Sequence, residues 1–287
     1  MLADRMTSPE ASRQRILALT SDVFIIPRLE DVARRLGFQL ETAGADLLDT
    51  PKELADRRIP LTEPLEGRGA EFVQSIAADP PVLIVVDLTS DPASWKPWIQ
   101  MLKTSSATRR VPVVAFGPHV ESEPLDEARR LGADRVVTRG QFHREMVEIL
   151  HSEARPPDLG AIREGCGRAM SAEARRGWQA LSAGAYFEAH EHLERAVLDE
   201  PGPDGGVYRC LLHLAVAHLH TERGNWRGAQ KMLLRMQPWL ASLPDSCRGL
   251  DVVEIRQAMA VLQRQLDRWH ESGKPPSPLP PPHIPAK

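Results

Sequence analysis

The sequence predicts two parts: an α/β domain built on a five-stranded parallel sheet, followed by an all-α domain of helical hairpins. In the first half, short apolar runs alternate with amphipathic stretches, as in parallel sheets covered by helices on both faces. From about residue 152 onward no further strand pattern occurs. Between the halves lies SEARPPDLG, whose prolines and glycine are typical of a linker.

The strands of the first half are predicted, in order, from RILALTS, QLETA, PVLIVVDLTS, VPVVAFG and DRVVT. The helices between and after them are predicted from LEDVARRLGF, AEFVQSIAAD, WKPWIQMLKTS, LDEARRLGA and FHREMVEILHSE. In the first helix Leu29, Val32 and Leu36 recur at helical spacing, and Gly37 ends it. Residues 45–66 are polar and interrupted by prolines, and their pattern predicts no helix or strand.

The second half predicts helices near residues 161–182, 186–199, 206–222, 226–241 and 251–271. The resulting domain boundaries are a disordered N-terminus over 1–12, an α/β domain over 13–152, a linker over 153–160 and a helical domain over 161–271. The proline-rich stretch 272–287 has no apolar periodicity, so we expect it to be extended, polyproline-like and disordered.

Composition narrows the functional classes. The 287 residues are 42% hydrophobic and 26% charged, with a net charge of −3, which gives no reason to expect a nucleic-acid partner. Apolar runs are too short for membrane insertion, and the first residues do not resemble a secretory signal. Three cysteines at unrelated spacings argue against a disulfide framework and favour a reducing, cytoplasmic location.

Three segments of the first half carry a family resemblance: LIVVDLTS, VPVVAFG and LGADRVVTRGQF. Over about residues 13–152 they resemble the third strand, fourth strand and fifth-strand region of a response-regulator receiver domain. This resemblance implies a flavodoxin-like fold. It also implies that Asp87 is the phosphoacceptor, at the carboxyl edge of the sheet where open α/β folds place their sites.

The magnesium ligands of that family are poorly matched. Receiver phosphotransfer needs an acidic pair after the first strand, which together with the acceptor carboxylate holds Mg²⁺. Here the pair falls on Thr20 and Ser21, and only the neighbouring Asp22 offers a carboxylate that would help Asp87.

Two further receiver positions also depart from the family. The hydroxyl at the end of the fourth strand falls on Gly117, and the lysine after the fifth strand falls on Thr138, with Arg139 next to it. The resemblance therefore favours a degenerate pseudo-receiver that serves in protein association, including homodimerisation. The alternative is a true response regulator phosphorylated at Asp87 with Mg²⁺.

In the second half, YFEAHEHLE places a cluster of titratable side chains on one helix. His190 and Glu194 share a helix face with Glu191 at their flank, whereas His192 points away. If the next helix packs antiparallel, His213 joins them. Imidazoles and carboxylates bind divalent transition metals, so His190, Glu194 and His213 are candidate ligands.

A structural explanation stands beside the metal site. Small residues such as Ala189 and Ala196, with Pro201, recur at the intervals of tetratricopeptide-type helical hairpins. Such residues allow two helices to approach closely without any ligand.

This region also resembles a named family. AGAYFEAHEHLE, followed by LLHLAVAHLHTERGNWRGAQKML, is similar over about residues 175–242 to the bacterial family called domain of unknown function 309. Where that family has two glutamines and a glycine, this chain has Arg209, Cys210 and His213. We expect Arg209 to neutralise a glutamate of the polar pocket, and His213 to retain a hydrogen bond or add a ligand.

Together these features predict a non-catalytic bacterial signalling or adaptor protein that needs no cofactor. The receiver-like domain would associate with proteins, and the helical domain would bind a protein partner or ligand. The alternatives are a metal-dependent hydrolase centred on His190, Glu191, Glu194 and His213, and a response regulator that is phosphorylated at Asp87.

Overall fold

The computed structural model describes residues 14–43, 67–89, 92–119, 122–274 and 279–285. The expected disorder of residues 1–12 and the unassigned stretch 45–66 lie outside these ranges. The chain forms two compact units. The first comprises Met1–Thr62 and Pro81–Pro156, and the second comprises Glu63–Pro80 and Pro157–Lys287.

The sheet of the first unit contains the five predicted strands. They are β1 (Arg15–Leu19), β2 (Gln39–Thr42), β3 (Leu83–Asp87), β4 (Val113–Gly117) and β5 (Arg135–Thr138). All neighbouring pairs are parallel, in the order β2-β1-β3-β4-β5. This is the flavodoxin-like order of doubly wound sheets, which confirms the predicted α/β fold.

Helices of the first unit follow the strands in alternation. They are α1 (Ile26–Arg35), α3 (Pro92–Thr104), α4 (Ser122–Arg130) and α5 (Arg139–Glu153), whereas α2 (Gly67–Ala78) lies in the second unit. Apolar residues of β1, β3 and β4 pack with α1 and α5 on one face of the sheet. There Phe116 of β4 stacks on Phe142 of α5 with ring centroids 4.4 Å apart. This contact fixes the first turn of α5 above the end of β4.

The second unit is mainly helical, as predicted. Its helices after α2 are α6 (Leu159–Cys166), α7 (Ala172–Ser182), α8 (Tyr186–Asp199), α9 (Gly206–Glu222), α10 (Trp226–Ala241) and α11 (Val252–Ser272). The single helix expected over 161–182 is two helices, because Ser171 caps α7 by accepting a hydrogen bond from the Ala174 N–H. None of the described helices is both long and apolar enough to span a bilayer.

Close helix approach depends on small residues in this unit. A Cβ atom on Gly177 of α7 would lie 2.5 Å from Cγ of Leu193 in α8, which no side chain tolerates. Successive helices α7, α8, α9 and α10 pack as neighbours along the chain. Helix α2, which the sequence placed among the helices of the first domain, packs against α10.

A short hairpin corrects the expectation that no strand follows residue 152. Strands β6 (Ser246–Cys247) and β7 (Leu250–Asp251) pair antiparallel across Arg248 and Gly249. Both turn residues have positive φ, 55° and 77°, as tight two-residue hairpins require. Two-residue strands carry too little periodicity to be visible in the sequence.

The cysteines also correct the sequence interpretation, because Cys166 and Cys247 form a disulfide. The bond joins α6 to the hairpin across 81 residues, with Cα atoms 4.2 Å apart. Beside it, the Arg248 N–H donates to the Cys166 carbonyl at 2.7 Å. Spacing along the chain does not report such spatial neighbours. The third cysteine, Cys210, is free and buried, and burial raises the pKa of its thiol.

The proline-rich stretch differs from the disorder expected of it. Residues 279–285 have neither helix nor strand but pack on the helices, and Ile284 is 2% exposed within the core of the second unit. Apolar periodicity does not reveal this contact, because a segment without regular secondary structure can bury a side chain without any repeat.

We expect the disulfide to stabilise the second unit. The double variant Cys166→Ser, Cys247→Ser should lose about 2–5 kcal/mol of unfolding free energy, because a long loop is no longer closed in the unfolded chain. Chemical unfolding of the air-oxidised protein measures this loss. As a check, iodoacetamide added to unfolded, unreduced protein should label Cys210 alone, and labelling of all three cysteines would contradict the bond.

Candidate functional site

Asp87 lies at the carboxyl end of β3 and is 2% exposed. Its Oδ2 accepts a hydrogen bond from the Thr20 hydroxyl at 3.0 Å. Its Oδ1 accepts from the Thr89 N–H at 3.0 Å and from the Thr89 hydroxyl at 2.7 Å. The carboxylate is therefore held in one orientation by residues that follow β1 and β3.

Arg139 compensates the charge of Asp87. Its Nη2 lies 3.0 Å from both carboxylate oxygens of Asp87, and its Nη1 donates to Oδ2 of Asp22 at 2.5 Å. The guanidinium also lies over the Phe116 ring, with Cζ 5.5 Å from the centroid. We call Asp22, Asp87 and Arg139 the clamp. It joins the loop after β1, the end of β3 and the start of α5.

Local sequence explains why Arg139 reaches this position. Thr138, the last residue of β5, caps α5 by accepting from the Gln141 N–H, so Arg139 is the first residue of the helix. Asp22 is held in turn, because its N–H donates to the Thr20 hydroxyl and its Oδ1 accepts from the Phe24 N–H. Thr20 thus contacts both acidic parts of the clamp.

The electrostatics of the clamp favour the charged forms of Asp22 and Arg139. The hydrogen bond from Arg139 lowers the pKa of Asp22. Burial alone would lower the pKa of Arg139, but its hydrogen bond to Asp22 and the charge of Asp87 outweigh burial and raise it. Two carboxylates and one guanidinium leave a single net negative charge in the clamp.

These contacts bear on the magnesium ion that the receiver resemblance implies. A divalent ion at this edge needs several oxygen ligands with free lone pairs. Here the two carboxylates, Asp22 and Asp87, both accept from Arg139, and the position after β1 supplies the hydroxyl of Thr20. The donor set does not fit a magnesium site while the guanidinium lies between the carboxylates.

Two further receiver positions, Ser21 and Gly117, contribute no ligand or catalytic group to the site. Ser21 is exposed. A Cβ on Gly117 would lie 3.1 Å from Cβ of Leu88 and 3.4 Å from Cδ2 of Leu125, so these leucines fill the place of a larger side chain. The sequence places Arg139 beside the site, but no signal in it indicates that Arg139 bridges both aspartates or that Thr89 takes part.

In the helical unit, the predicted cluster is only partly assembled. Nε2 of His190 lies 3.9 Å from Oε2 of Glu194, and these side chains are 34% and 59% exposed. Glu191 is exposed on the same helix. Across the ranges that the structure describes, no three His, Cys, Asp or Glu side chains are grouped as metal ligands would be.

His192 and Glu173 form a closer histidine–glutamate contact than His190 and Glu194 do. Nδ1 of His192 lies 2.7 Å from Oε2 of Glu173 in α7, and this hydrogen bond lowers the pKa of Glu173. His192 was expected to point away from the cluster, and it does so by facing α7. Glu173 carried no signal in the sequence, because nothing marks which residue of a neighbouring helix it will meet.

Arg209 and His213 lie on α9. Arg209 donates to the carbonyl oxygens of Pro201 and Gly202 and lies over the Trp239 ring at 4.6 Å. Nδ1 of His213 is buried without a hydrogen-bond partner. Burial, aided by the positive charges of nearby arginines, lowers the pKa of His213 to about 4, so its imidazole is neutral near pH 7.

The glycine- and asparagine-containing stretch between α9 and α10 has a packing role. Gly224 adopts a positive φ of 66° after α9, and Asn225 caps α10 by accepting from the Gly228 N–H at 3.0 Å. A Cβ on Gly228 would lie 2.5 Å from Nδ2 of Asn225 and 2.9 Å from Cγ of His220. This motif therefore closes a helical hairpin tightly.

Comparison with known families agrees with the family resemblance of the helical half. Residues 174–232 match the family described as "Domain of unknown function (DUF309)", a span somewhat shorter than predicted. The sequence matches no curated protein.

Two response regulators are among the structures similar to the chain. One is the phosphorylated cyanobacterial phytochrome response regulator RcpA, at 16% identity and a TM-score of 0.36, covering 50% of this chain and 94% of that one. The other is RPA3017, a response regulator in red light signaling of R. palustris, at 14% identity and a TM-score of 0.33, covering 50% and 98%.

Removal of Arg139 should destabilise the first unit. Arg139→Ala leaves Asp87 buried without its cation, which should cost about 3 kcal/mol. Arg130→Ala is the matched control, because its ion pair with Glu127 is at the surface and is worth less than about 0.5 kcal/mol. Hydrogen exchange of β3 and β4 peptides in increasing urea measures the first unit separately. Equal effects of the two substitutions would contradict the clamp.

Buried histidines should make the second unit less stable in mild acid. His218 is 4% exposed and stacks on Tyr186, and burial lowers its pKa from 6.5 to about 4. Between these values the unfolded chain binds a proton that the folded chain does not. The free energy of unfolding is therefore unaffected by protonation of His218 above pH 6.5. It falls by up to about 3 kcal/mol as the pH drops to 4, because protonation of His218 then favours the unfolded chain.

The variant His218→Phe keeps an aromatic ring against Tyr186 and removes this titration. Its unfolding free energy should depend less steeply on pH between 6.5 and 4 than that of the unmodified protein. His283→Ala, at an exposed position, is the control and should leave the slope unchanged. Parallel pH profiles for His218→Phe and the unmodified protein would show that His218 is protonated in the folded state.

Proposed function

We propose that the protein is a non-catalytic bacterial signalling or adaptor protein whose receiver-like unit is a pseudo-receiver. The observation that carries this proposal is the clamp. Arg139 contributes a permanent cation between Asp22 and Asp87, at the place where the receiver reaction would need Mg²⁺ and a phosphoryl donor.

The chemistry of Asp87 supports a role without phosphotransfer. Attack on a phosphoryl donor requires a free carboxylate lone pair and an open approach. Both oxygens of Asp87 accept hydrogen bonds, and the side chain is almost completely buried. For Asp87 to react, Arg139 would first have to leave two carboxylates, which is unfavourable while both are charged.

The surface beside the clamp supports protein association. Val23 and Phe24 follow Asp22 directly and are 68% and 89% exposed. Aromatic residues at such positions commonly anchor protein interfaces. The receiver-like unit then provides a rigid surface for a second copy or another protein, and the helical unit provides a second binding element.

The test is phosphorylation by acetyl phosphate with Mg²⁺, followed by intact mass spectrometry. We expect no phosphoryl adduct on the unmodified protein. Arg139→Ala, with the clamp opened, is the informative comparison, and Asp87→Asn controls for labelling elsewhere. Near-complete labelling of the unmodified protein that Asp87→Asn abolishes would overturn the pseudo-receiver and favour the true response regulator.

A further inference from the structure

Residues 279–285, LPPPHIP, form a segment without helix or strand that we call the strap. The indole N–H of Trp178 donates to the Ile284 carbonyl at 2.9 Å, and the Asp251 N–H donates to the Pro285 carbonyl at 3.3 Å. Pro281 lies against Gly184, at a distance of 3.0 Å from the position of an added Cβ. We call the surface formed by Trp178, Gly184 and Asp251 the strap groove.

The strap is recognised mainly through its backbone. The hydrogen bonds from Trp178 and Asp251 are both accepted by main-chain carbonyls of the strap. Because every residue has such a carbonyl, these bonds do not depend on the sequence of the bound segment. Prolines at four of the seven positions supply no N–H, so few backbone donors need partners in the groove. Proline-rich segments are also extended before they bind, which lowers the entropy lost on docking.

Only a few side chains of the strap are buried, and these positions determine which sequences the groove can bind. Ile284 is 2% exposed and packs into the core of the second unit, and Pro282 is buried as well. Pro280, Pro281 and His283 are exposed. Leu279 also packs against this core, so the groove selects a segment with two large aliphatic residues five positions apart, the second of them between prolines.

We propose that the strap groove is a binding site for an extended, proline-rich segment of another protein, and that the strap occupies it as an intramolecular competitor. The inference deepens the proposed function by assigning a partner class to the helical unit. It does not depend on the clamp, whose contacts lie in the other unit. A tethered occupant acts at a high effective concentration, so a partner must compete with it.

The groove can be opened in the full chain by a single substitution. Ile284→Asp places a charge in the aliphatic pocket and should release the strap, because an unpaired buried carboxylate is strongly unfavourable. His283→Asp is the matched control: it adds the same charge one position away, on an exposed residue.

The probe is a fluorescein-labelled, end-capped peptide LPPPHIP, and the measurement is fluorescence anisotropy. We expect the Ile284→Asp chain to bind it at least about tenfold more tightly than the unmodified and His283→Asp chains, because the tethered strap no longer competes. Trp178→Phe in the opened chain removes the indole donor but keeps an aromatic ring, and it should weaken binding about fivefold. The peptide with Asp in place of isoleucine should not bind.

Three results would overturn the proposal. In one, the opened chain keeps its helical circular dichroism but does not bind the peptide. In another, the opened and unmodified chains bind it equally, which places the peptide elsewhere. In the third, Ile284→Asp abolishes cooperative unfolding of the second unit, which makes the strap a fixed part of its core. None of these results changes the expected phosphorylation outcome, so the two proposals fail separately.

Discussion

The buried charge of Asp87 is the constraint around which the first unit is arranged. A carboxylate that is 2% exposed is tolerated only with a counter-charge and satisfied oxygens. Arg139 supplies the charge, and Thr20 and Thr89 supply further hydrogen bonds. The Phe116–Phe142 stack and the Thr138 cap hold the start of α5 where its arginine reaches the carboxyl edge of the sheet.

The guanidinium of Arg139 differs from a bound metal ion because it cannot dissociate from the protein. A free ion can enter and leave, and its occupancy can depend on ligand or phosphate. The guanidinium of Arg139 is always charged near neutral pH and is fixed by α5. A conformational switch needs an effector that distinguishes two states. Because the counter-charge of Asp87 is part of the chain, it cannot come and go with a ligand, and this property underlies the proposed pseudo-receiver.

Local sequence signals predicted most of the fold, and contacts between distant segments were missed. The strands were visible because strands buried on both faces form nearly continuous apolar runs, as in LIVVD. The helices followed from periodicity, including Tyr186–Asp199 at its observed limits. The Cys166–Cys247 bond, the packing of Ile284 and the reach of Arg139 to Asp22 join residues far apart in sequence. No pattern along the chain encodes those distances.

The segment matched to DUF309, residues 174–232, provides the scaffold of the helical hairpins. Within it, Gly177 allows α7 and α8 to pack closely, and Asn225 and Gly228 close the turn into α10. The strap groove combines Trp178 and Gly184 from this segment with Asp251, which lies outside it. The residues that let these helices pack closely therefore lie within the matched segment. The clamp and the strap itself lie outside the match, whereas Trp178 and Gly184, which contact the strap, lie inside it.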